Sequence, residues 1–281
     1  MNFARACGLI RLALREDIGR RDITSELFIP KDTRSKALII AKEPAVICGL
    51  PLAKKIFSSI DKGIKIKLSA REGQKVAKGK VIMAVSGRAR SILLGERVAL
   101  NFLSFLSGIA TKTSRYISRV KPYRIKIMDT RKTLPGLRFL QRYAVRIGGG
   151  YNHRMCLDGM VLVKDNHLKV IGDRFWVSGH RRTKDKVKIE IEVKTLKEFE
   201  AALNLKPDII MLDNMSIADM RKAVSLNRAP QTAHRKPRLE ASGGITLKNI
   251  RKVASTGVDM ISIGDLTHSV DYVDLSLEIA A

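Results

Sequence analysis

The sequence predicts two α/β parts: helices with an antiparallel sheet over residues 1–90, then a parallel βα array that closes as a barrel. Three observations carry this. After Pro122, short apolar runs recur every 20–35 residues, and each ends in polar or glycine residues. IKIM leads to Asp129-Thr130-Arg131-Lys132, MVLV to Lys164-Asp165-Asn166-His167, and KIEIEV carries Glu190 and Glu192. DIIML ends at Asp213-Asn214, RLEA at Ser242-Gly243-Gly244, and MISI at Gly264-Asp265. Helical patterns separate several of them, as in LKEFEAALNL (196–205), SIADMRKAVSL (216–226) and LKNIRKVASTG (247–257), which is the βα alternation of a parallel sheet. The first ninety residues instead show strict alternation and Gly/Pro punctuation.

Residues 1–30 read as a helix and a turn, with Ile10, Leu12 and Leu14 among arginines and RRDITS before Pro30. KALIIAKEPAVIC (36–48) is apolar and β-branched but broken by Pro44, so it predicts two short strands. Gly49-Leu50-Pro51 opens a helix to about Ser59, with proline near its first turn. IKIKL (64–68) alternates as a half-buried strand, and a further strand is expected at 81–85. From Ser91 the period becomes helical through Ile92, Leu93, Val98, Leu103 and Leu106. Ser107-Gly108 is expected to interrupt that helix, with a second piece to Val120, and the domain boundary is placed there. Gly148-Gly149-Gly150 follows a helical stretch rather than a first strand, so a helix C-cap is at least as good a reading as a phosphate loop.

Composition narrows the function. The chain has 281 residues, 45% of them hydrophobic, with no run near the roughly 18 apolar residues of a membrane span. The N-terminus lacks a signal-peptide pattern, and Cys7, Cys48 and Cys156 stand apart without a CxxC pair, which fits a cytoplasmic protein without a disulfide frame or zinc site. Lys and Arg number 53 against 27 acidic residues, a net charge of +26. Such a surface could face nucleic acid. The spread of the lysines, 5% aromatics and the absence of any recognition motif argue against a dedicated nucleic-acid partner. An anionic small substrate is the better reading.

The barrel prediction places the polar words at the C-terminal strand ends, where such barrels work. Arg131, Lys132, His153, Arg154 and Lys164 then stand opposite Glu192 and Asp213, with Ser242-Gly243-Gly244 and Gly264 completing the ring. Planar arginine forks suit carboxylates, carboxylates suit Mg²⁺ or sugar hydroxyls, and glycine turns ahead of helices present N–H groups to phosphate. There is no nucleophile elbow and no HExxH, His153 and His167 lack metal-ligand spacing, and a thiolate nucleophile at Cys156 is not favoured. Positioning and charge neutralisation are the expected catalytic means. On periodicity alone, Arg97 reads as a surface partner of Glu96.

DTRKTLPGLR, YAVRIGGGYNHR and VLVKDNH closely resemble the quinolinate phosphoribosyltransferase family (nicotinate-nucleotide pyrophosphorylase, carboxylating), and RRDITS, EPAVICGLPLA, ERVALNFLSFLSGIAT, EIEVKTL, IIMLDN, EASGGI and ISIGDLTHS extend the likeness along nearly the whole chain. The resemblance implies a type II phosphoribosyltransferase-like fold: an N-terminal α/β sandwich at 1–108, onto which the tail 267–281 is expected to pack, and an incomplete, seven-stranded βα barrel at 109–266. It implies transfer of phosphoribosyl from phosphoribosyl pyrophosphate to quinolinate with decarboxylation, giving nicotinate mononucleotide in de novo NAD biosynthesis. It also implies a homodimer, or a hexamer built as a trimer of dimers, in which Arg97 reaches a neighbour's site.

By the same resemblance, Arg131, His153, Arg154 and Lys164 would hold the quinolinate carboxylates, and Thr130 joins the substrate-binding set. Lys132 would lie between the two substrates. Glu192 and Asp213 would hold ribose hydroxyls and Mg²⁺, while Ser242, Gly243, Gly244, Gly264 and His268 would contact phosphates. Lys132, Lys164, Glu192 and Asp213 are the expected catalytic set. The chain departs from the family pattern at Cys156, at Asp158-Gly159 and over 168–188, which holds the lone Trp176. A paralogous phosphoribosyltransferase of the molybdate-operon type with another acceptor, and a nucleic-acid-binding degenerate barrel, are the alternatives.

Overall fold

The computed structural model describes residues 3–172, 175, 187–229 and 236–280, so Trp176 and most of 168–188 lie outside the described residues. The chain forms two compact units. One comprises Met1–Ser114, Thr133–Gly149 and Ser269–Ala281, and the other Arg115–Lys132 and Gly150–His268. The sequence places the boundary after residue 108, whereas the units change over after Ser114, and residues 133–149 join the first unit.

The first unit is built on an antiparallel sheet of order β12-β1-β5-β3: β1 is Arg34–Ala41, β3 Lys65–Leu68, β5 Val81–Arg88 and β12 Leu275–Ala280. Strand β1 alternates as its sequence requires, burying Ala37, Ile39 and Ala41. The tail pairs with it through Lys36–Ala280 to Ala41–Leu275. Pro44 separates β1 from β2 (Ala45–Val46), which pairs instead with β4 (Lys75–Val76). Strand β3 is an edge strand, so its expected half-burial fails: Leu68 is exposed and the anchoring residue is Ile64, just before it.

Helix Leu50–Ile60 starts from Gly49, whose φ of 104° is a conformation open to glycine. Glu72 caps it from outside, accepting the N–H groups of Gly49 and Leu50 at 2.9 and 2.7 Å. The Tyr143 hydroxyl donates to the same carboxylate at 2.6 Å, which ties helix Arg138–Ile147 into this unit. On that helix Arg142 is buried.

The helix beginning at Ala89 runs unbroken to Val120, so the break expected at Ser107-Gly108 is absent. Both residues have packing reasons. The Ser107 hydroxyl accepts the Cys48 N–H at 3.0 Å and donates to its carbonyl at 3.2 Å. A Cβ at Gly108 would lie 2.2 Å from the Asp271 carbonyl oxygen. Glycine here permits close backbone approach. Gly148 acts alike, since a Cβ there would lie 2.5 Å from the Ala110 carbonyl. Gly108→Ala is expected to destabilise the fold by about 1–3 kcal/mol, measured as a lower urea midpoint at unchanged slope. By length and hydropathy this helix could cross a membrane, but 61% of its most apolar window is buried inside the protein, as in a core helix.

The second unit is a six-stranded, all-parallel sheet of order β6-β11-β10-β9-β8-β7. The strands are β6 Lys126–Met128, β7 Val161–Val163, β8 Ile189–Val193, β9 Ile209–Asp213, β10 Arg238–Ser242 and β11 Met260–Ser262. They coincide with the six apolar runs. A seventh lane is reduced to one parallel bridge on the free edge of β6, between Tyr151 and Met128. Tyr151 donates to the Ile127 carbonyl at 2.8 Å, and its own carbonyl accepts the Asp129 N–H at 3.0 Å. Helices Leu196–Asn204 and Ile217–Arg228 follow β8 and β9, capped by Thr195 and Ser216 side chains that accept the N–H groups of Glu198 and Asp219.

Candidate active site at the strand ends

Residues following both edge strands, β6 and β7, and all four strands between them line a single cleft of about 930 Å³. The sheet therefore curls so that its C-terminal ends converge, as the barrel argument requires.

At the end of β6, Asp129 is fully buried. Its carboxylate accepts the His153 N–H at 2.8 Å and the Asn152 side-chain amide at 2.5 Å, fixing the start of the following loop against residues 152–153. The Thr130 hydroxyl accepts the Lys132 N–H at 3.1 Å, and the Lys132 carbonyl accepts the Thr267 hydroxyl at 2.7 Å. The two glycine-free words DTRK and DLTH thus brace each other. Arg154 donates to the Met160 carbonyl at 2.8 Å. Burial, and then the like charge of Arg131, hold the Arg154 guanidinium below its ordinary pKa. Two guanidinium groups close enough to repel favour a bound anion.

At the end of β7, Lys164 reaches across to β8, its ammonium 2.8 Å from Glu192 Oε2. Its backbone N–H donates to His167 Nδ1, so His167 caps helix Asp165–Ile171. Lys194 continues β8 into the cleft and donates to Asp165 at 2.8 Å, and that bond holds the Asp165 carboxyl below its usual range. Asp213 ends β9 beside Asn214, whose amide donates to it at 3.1 Å and whose φ is 54°. The turn after β10 is glycine by necessity. Gly243 has φ 88°, and a Cβ there would lie 2.3 Å from Asn214 Oδ1. After β11, a Cβ at Gly264 would crowd the His268 ring at 3.0 Å and the Lys132 side chain at 3.1 Å.

The cleft thus brings together Thr130, Arg131, Lys132, His153, Arg154, Lys164, Glu192, Asp213, Ser242, Gly243, Gly244, Gly264 and His268. Arg97 is not among its lining residues. It is exposed on the long helix of the first unit, and no ion pair joins it to Glu96 among the described residues. Gly148, Gly149 and Gly150 do not line the cleft either. Sequence reasoning passed over Lys194 and Asn214, although each directly follows a strand-end carboxylate motif.

It also passed over Glu190 and Glu240, which are wholly buried within the sheet's interior beside His153. Burial pushes the Glu240 carboxyl up to about 7, reinforced by the charge of Glu190. Burial alone would lower the His153 pKa, but Glu190, Glu240 and Asp129 outweigh it and hold the imidazole above 6.5. Both pKa values are raised on folding, so the native state holds extra protons there. The stability that follows is complete below the unfolded values, about 4.5 for a glutamate and 6.5 for a histidine. It is lost as pH rises through the raised folded values. Urea unfolding is therefore expected to show stability falling from pH 5 to 8, with Glu240→Gln flattening that decline; an identical slope in the variant would refute the assignment.

Comparison with known proteins adds an independent line. Residues 22–107 and 109–278 match the N-terminal and C-terminal domains described as quinolinate phosphoribosyl transferase. A probable nicotinate-nucleotide pyrophosphorylase (carboxylating) from Synechocystis is 42% identical over 95% of this chain and 90% of its own. One from Methanocaldococcus jannaschii is 42% identical over 98% and 97%. The solved nicotinate-nucleotide pyrophosphorylase from Francisella tularensis superposes with a TM-score of 0.90 at 37% identity, covering 100% of this chain and 98% of that one.

Proposed function

We propose that this chain, which belongs to the quinolinate phosphoribosyltransferase family, carries out the family reaction in the strand-end cleft of its second unit. It is a carboxylating nicotinate-nucleotide diphosphorylase, a pentosyltransferase of de novo NAD biosynthesis: phosphoribosyl passes from phosphoribosyl pyrophosphate to quinolinate, and nicotinate mononucleotide, pyrophosphate and carbon dioxide are released. Neither another acceptor nor a nucleic-acid role is favoured by these relatives. A cytoplasmic location is part of the proposal, resting on three scattered free cysteines.

The observation that carries the site assignment is the division of charge in the cleft. Arg131, His153, Arg154 and Lys164 form a cationic wall suited to a pyridine dicarboxylate, with Thr130 beside it. Lys132, whose side chain lies against Gly264, would stand between the acceptor and phosphoribosyl pyrophosphate. Glu192 and Asp213, on adjacent strands, are hard oxygen donors facing one space, and this set fits Mg²⁺ together with ribose hydroxyls. When bound there, Mg²⁺ supplies charge neutralisation to the pyrophosphate oxygens. Ser242, Gly243, Gly244, Gly264 and His268 offer backbone and side-chain donors to phosphate.

The chemistry follows. The pyridine nitrogen bonds to the ribose carbon as the carbon–pyrophosphate bond breaks and its electron pair leaves with pyrophosphate. The ring, now positive at nitrogen, draws in the electron pair of the adjacent carbon–carboxylate bond. Carbon dioxide departs, and the ring carbon takes a proton. Two unit charges at 4 Å interact by about 4 kcal/mol at an effective dielectric near 20, so a wall of several cations is large enough to position the acceptor.

Incubation with quinolinate, phosphoribosyl pyrophosphate and Mg²⁺ should release carbon dioxide and nicotinate mononucleotide in equal amounts; folded protein that makes neither overturns the reading. We further assign a homodimer, or a hexamer built as a trimer of dimers, with Arg97 supplied to a neighbouring chain's cleft. The exposure of Arg97 on its helix supports this. Mixing Arg97→Ala with Lys132→Ala chains should restore activity in proven heterodimers, since one of the two sites then keeps both residues. No restoration argues against sharing.

A further inference from the structure

Glu190 and Glu240 are buried acidic groups that the reaction above does not use. Both are fully inaccessible to solvent. Glu240 Oε1 accepts the Ser262 hydroxyl, whereas both oxygens of Glu190 and Oε2 of Glu240 accept no well-formed hydrogen bond among the described residues. His153 Nε2 lies 3.0 Å from Glu190 Oε2, off the line of a good hydrogen bond, and 3.7 Å from Glu240 Oε1. The same imidazole lines the cleft. It thus joins both buried carboxylates to the substrate space, as Ser262, which also lines the cleft, does for Glu240.

Two buried carboxylates this close need a shared proton or a positive charge beside them. The three side chains lie within 4.8 Å of one another, which would admit a metal ion. Their surroundings argue for a protonated imidazole instead. Arg154 is within the field of Glu190 and of Arg131, and Lys164 acts on Glu240, so a divalent ion would enter a cationic neighbourhood with only three protein ligands.

We propose that Glu190 and Glu240 are positioning residues for the reaction, holding the His153 imidazole as a cation against the cleft wall where a carboxylate of the acceptor docks. The inference rests on the placement of the acceptor beside Arg131 and Arg154. The groups facing His153 are Glu190 from β8, Glu240 from β10 and Asp129 from the end of β6, which accepts the His153 N–H. Glu190 first, then Glu240 and Asp129, raise the imidazole pKa against the burial that would lower it. The carboxylates thus set a third positive charge into a wall whose ligand is a dianion.

The test is a histidine NMR titration of the full-length protein, whose five histidines allow His153 to be assigned through His153→Asn. Without substrate, the wild-type midpoint of His153 should lie above 6.5, and Glu190→Gln or Glu240→Gln should each lower it by about one unit, a tenfold loss of proton affinity. In the same variants the KM for quinolinate should rise about tenfold at pH 8 and far less at pH 6, with kcat changed less. A purely structural role would not give that pH-dependent split. A wild-type midpoint at or below 6.5 overturns the proposal even if neither variant folds. So does stoichiometric zinc or manganese in the purified protein that Glu240→Gln removes, because the pair would then be metal ligands. A raised midpoint that the variants lower but quinolinate leaves untouched upholds the hold on His153 and overturns the placement of the acceptor on this wall.

Discussion

Arg154→Met is expected to lower kcat/KM for quinolinate by about 10²–10³-fold, corresponding to about 2.7–4 kcal/mol, with most of the loss in KM. The reason is the state of the guanidinium before substrate arrives. It is partly desolvated, anchored through Nη1 to the Met160 carbonyl, and pressed by the charge of Arg131. A bound carboxylate relieves that repulsion and regains the lost solvation in one step. Removing Arg154 forfeits a preorganised fork while leaving its fixed partners in place. Stability should change little, because the lost bond to Met160, worth about 1 kcal/mol, is offset by relief of the Arg131 repulsion. Arg154→Lys should recover only part of the loss, since an ammonium cannot reproduce the two parallel bonds of the fork. An unchanged quinolinate KM in folded Arg154→Met protein would remove Arg154 from the acceptor wall.

The contrast between activity and stability at Arg154 reflects how the fold encodes the cleft. Arg131 and Lys164 stand just beyond strand ends, and His153 and Arg154 just beyond the Tyr151 bridge, so the framework is indifferent to their charge while the substrate is not. That is also why much of the site was legible in the sequence. MVLV and the IIML of DIIML are apolar on both faces, which marks buried parallel strands, and these runs, like IKIM, stop abruptly at a charged word. The seventh lane carries no such run. Tyr151 contributes a single bridge held by two backbone bonds, a pattern that no periodicity can reveal.

Where the reading failed, tertiary contact overrode local propensity. Ser107-Gly108 has the composition of a helix break, yet the serine bonds to Cys48 in both directions and the glycine admits the backbone at Asp271. Residues 138–147 carry three arginines, yet Arg142 is buried and Tyr143 completes the cap of a helix some ninety residues earlier in the chain. Glu190 was visible and undervalued. In KIEIEV it sits two residues before Glu192 and therefore on the same face of β8, roughly 6.6 Å further from the strand end. A carboxylate at that depth in a parallel strand needs a partner, and His153 supplies it from a segment that is not a strand at all.

Gly243→Ala is expected to reduce kcat/KM for phosphoribosyl pyrophosphate by about 10²–10³-fold, the scale seen when oriented donors to a developing charge are lost. Two features make this glycine irreplaceable. Its φ of 88° is costly for any residue with a Cβ, and that Cβ would stand 2.3–2.5 Å from the side-chain amide of Asn214. Asn214 cannot easily yield. Its own φ is 54°, its N–H donates to the Ser242 carbonyl at 2.9 Å, and its amide donates to Asp213 at 3.1 Å. Displacing it would move the turn after β10 and the carboxylate at the end of β9 together, which are the proposed phosphate and ribose–Mg²⁺ contacts. Gly244→Ala provides the control. Its φ of 58° carries similar strain, but its Cβ would meet Asn214 only at 3.7 Å, an ordinary contact. Kinetics of the two variants with phosphoribosyl pyrophosphate, alongside urea unfolding of each, separate the causes. If Gly244→Ala loses as much activity as Gly243→Ala, backbone strain alone accounts for the defect, and the coupling of Asn214 to Asp213 has no part in holding the substrate.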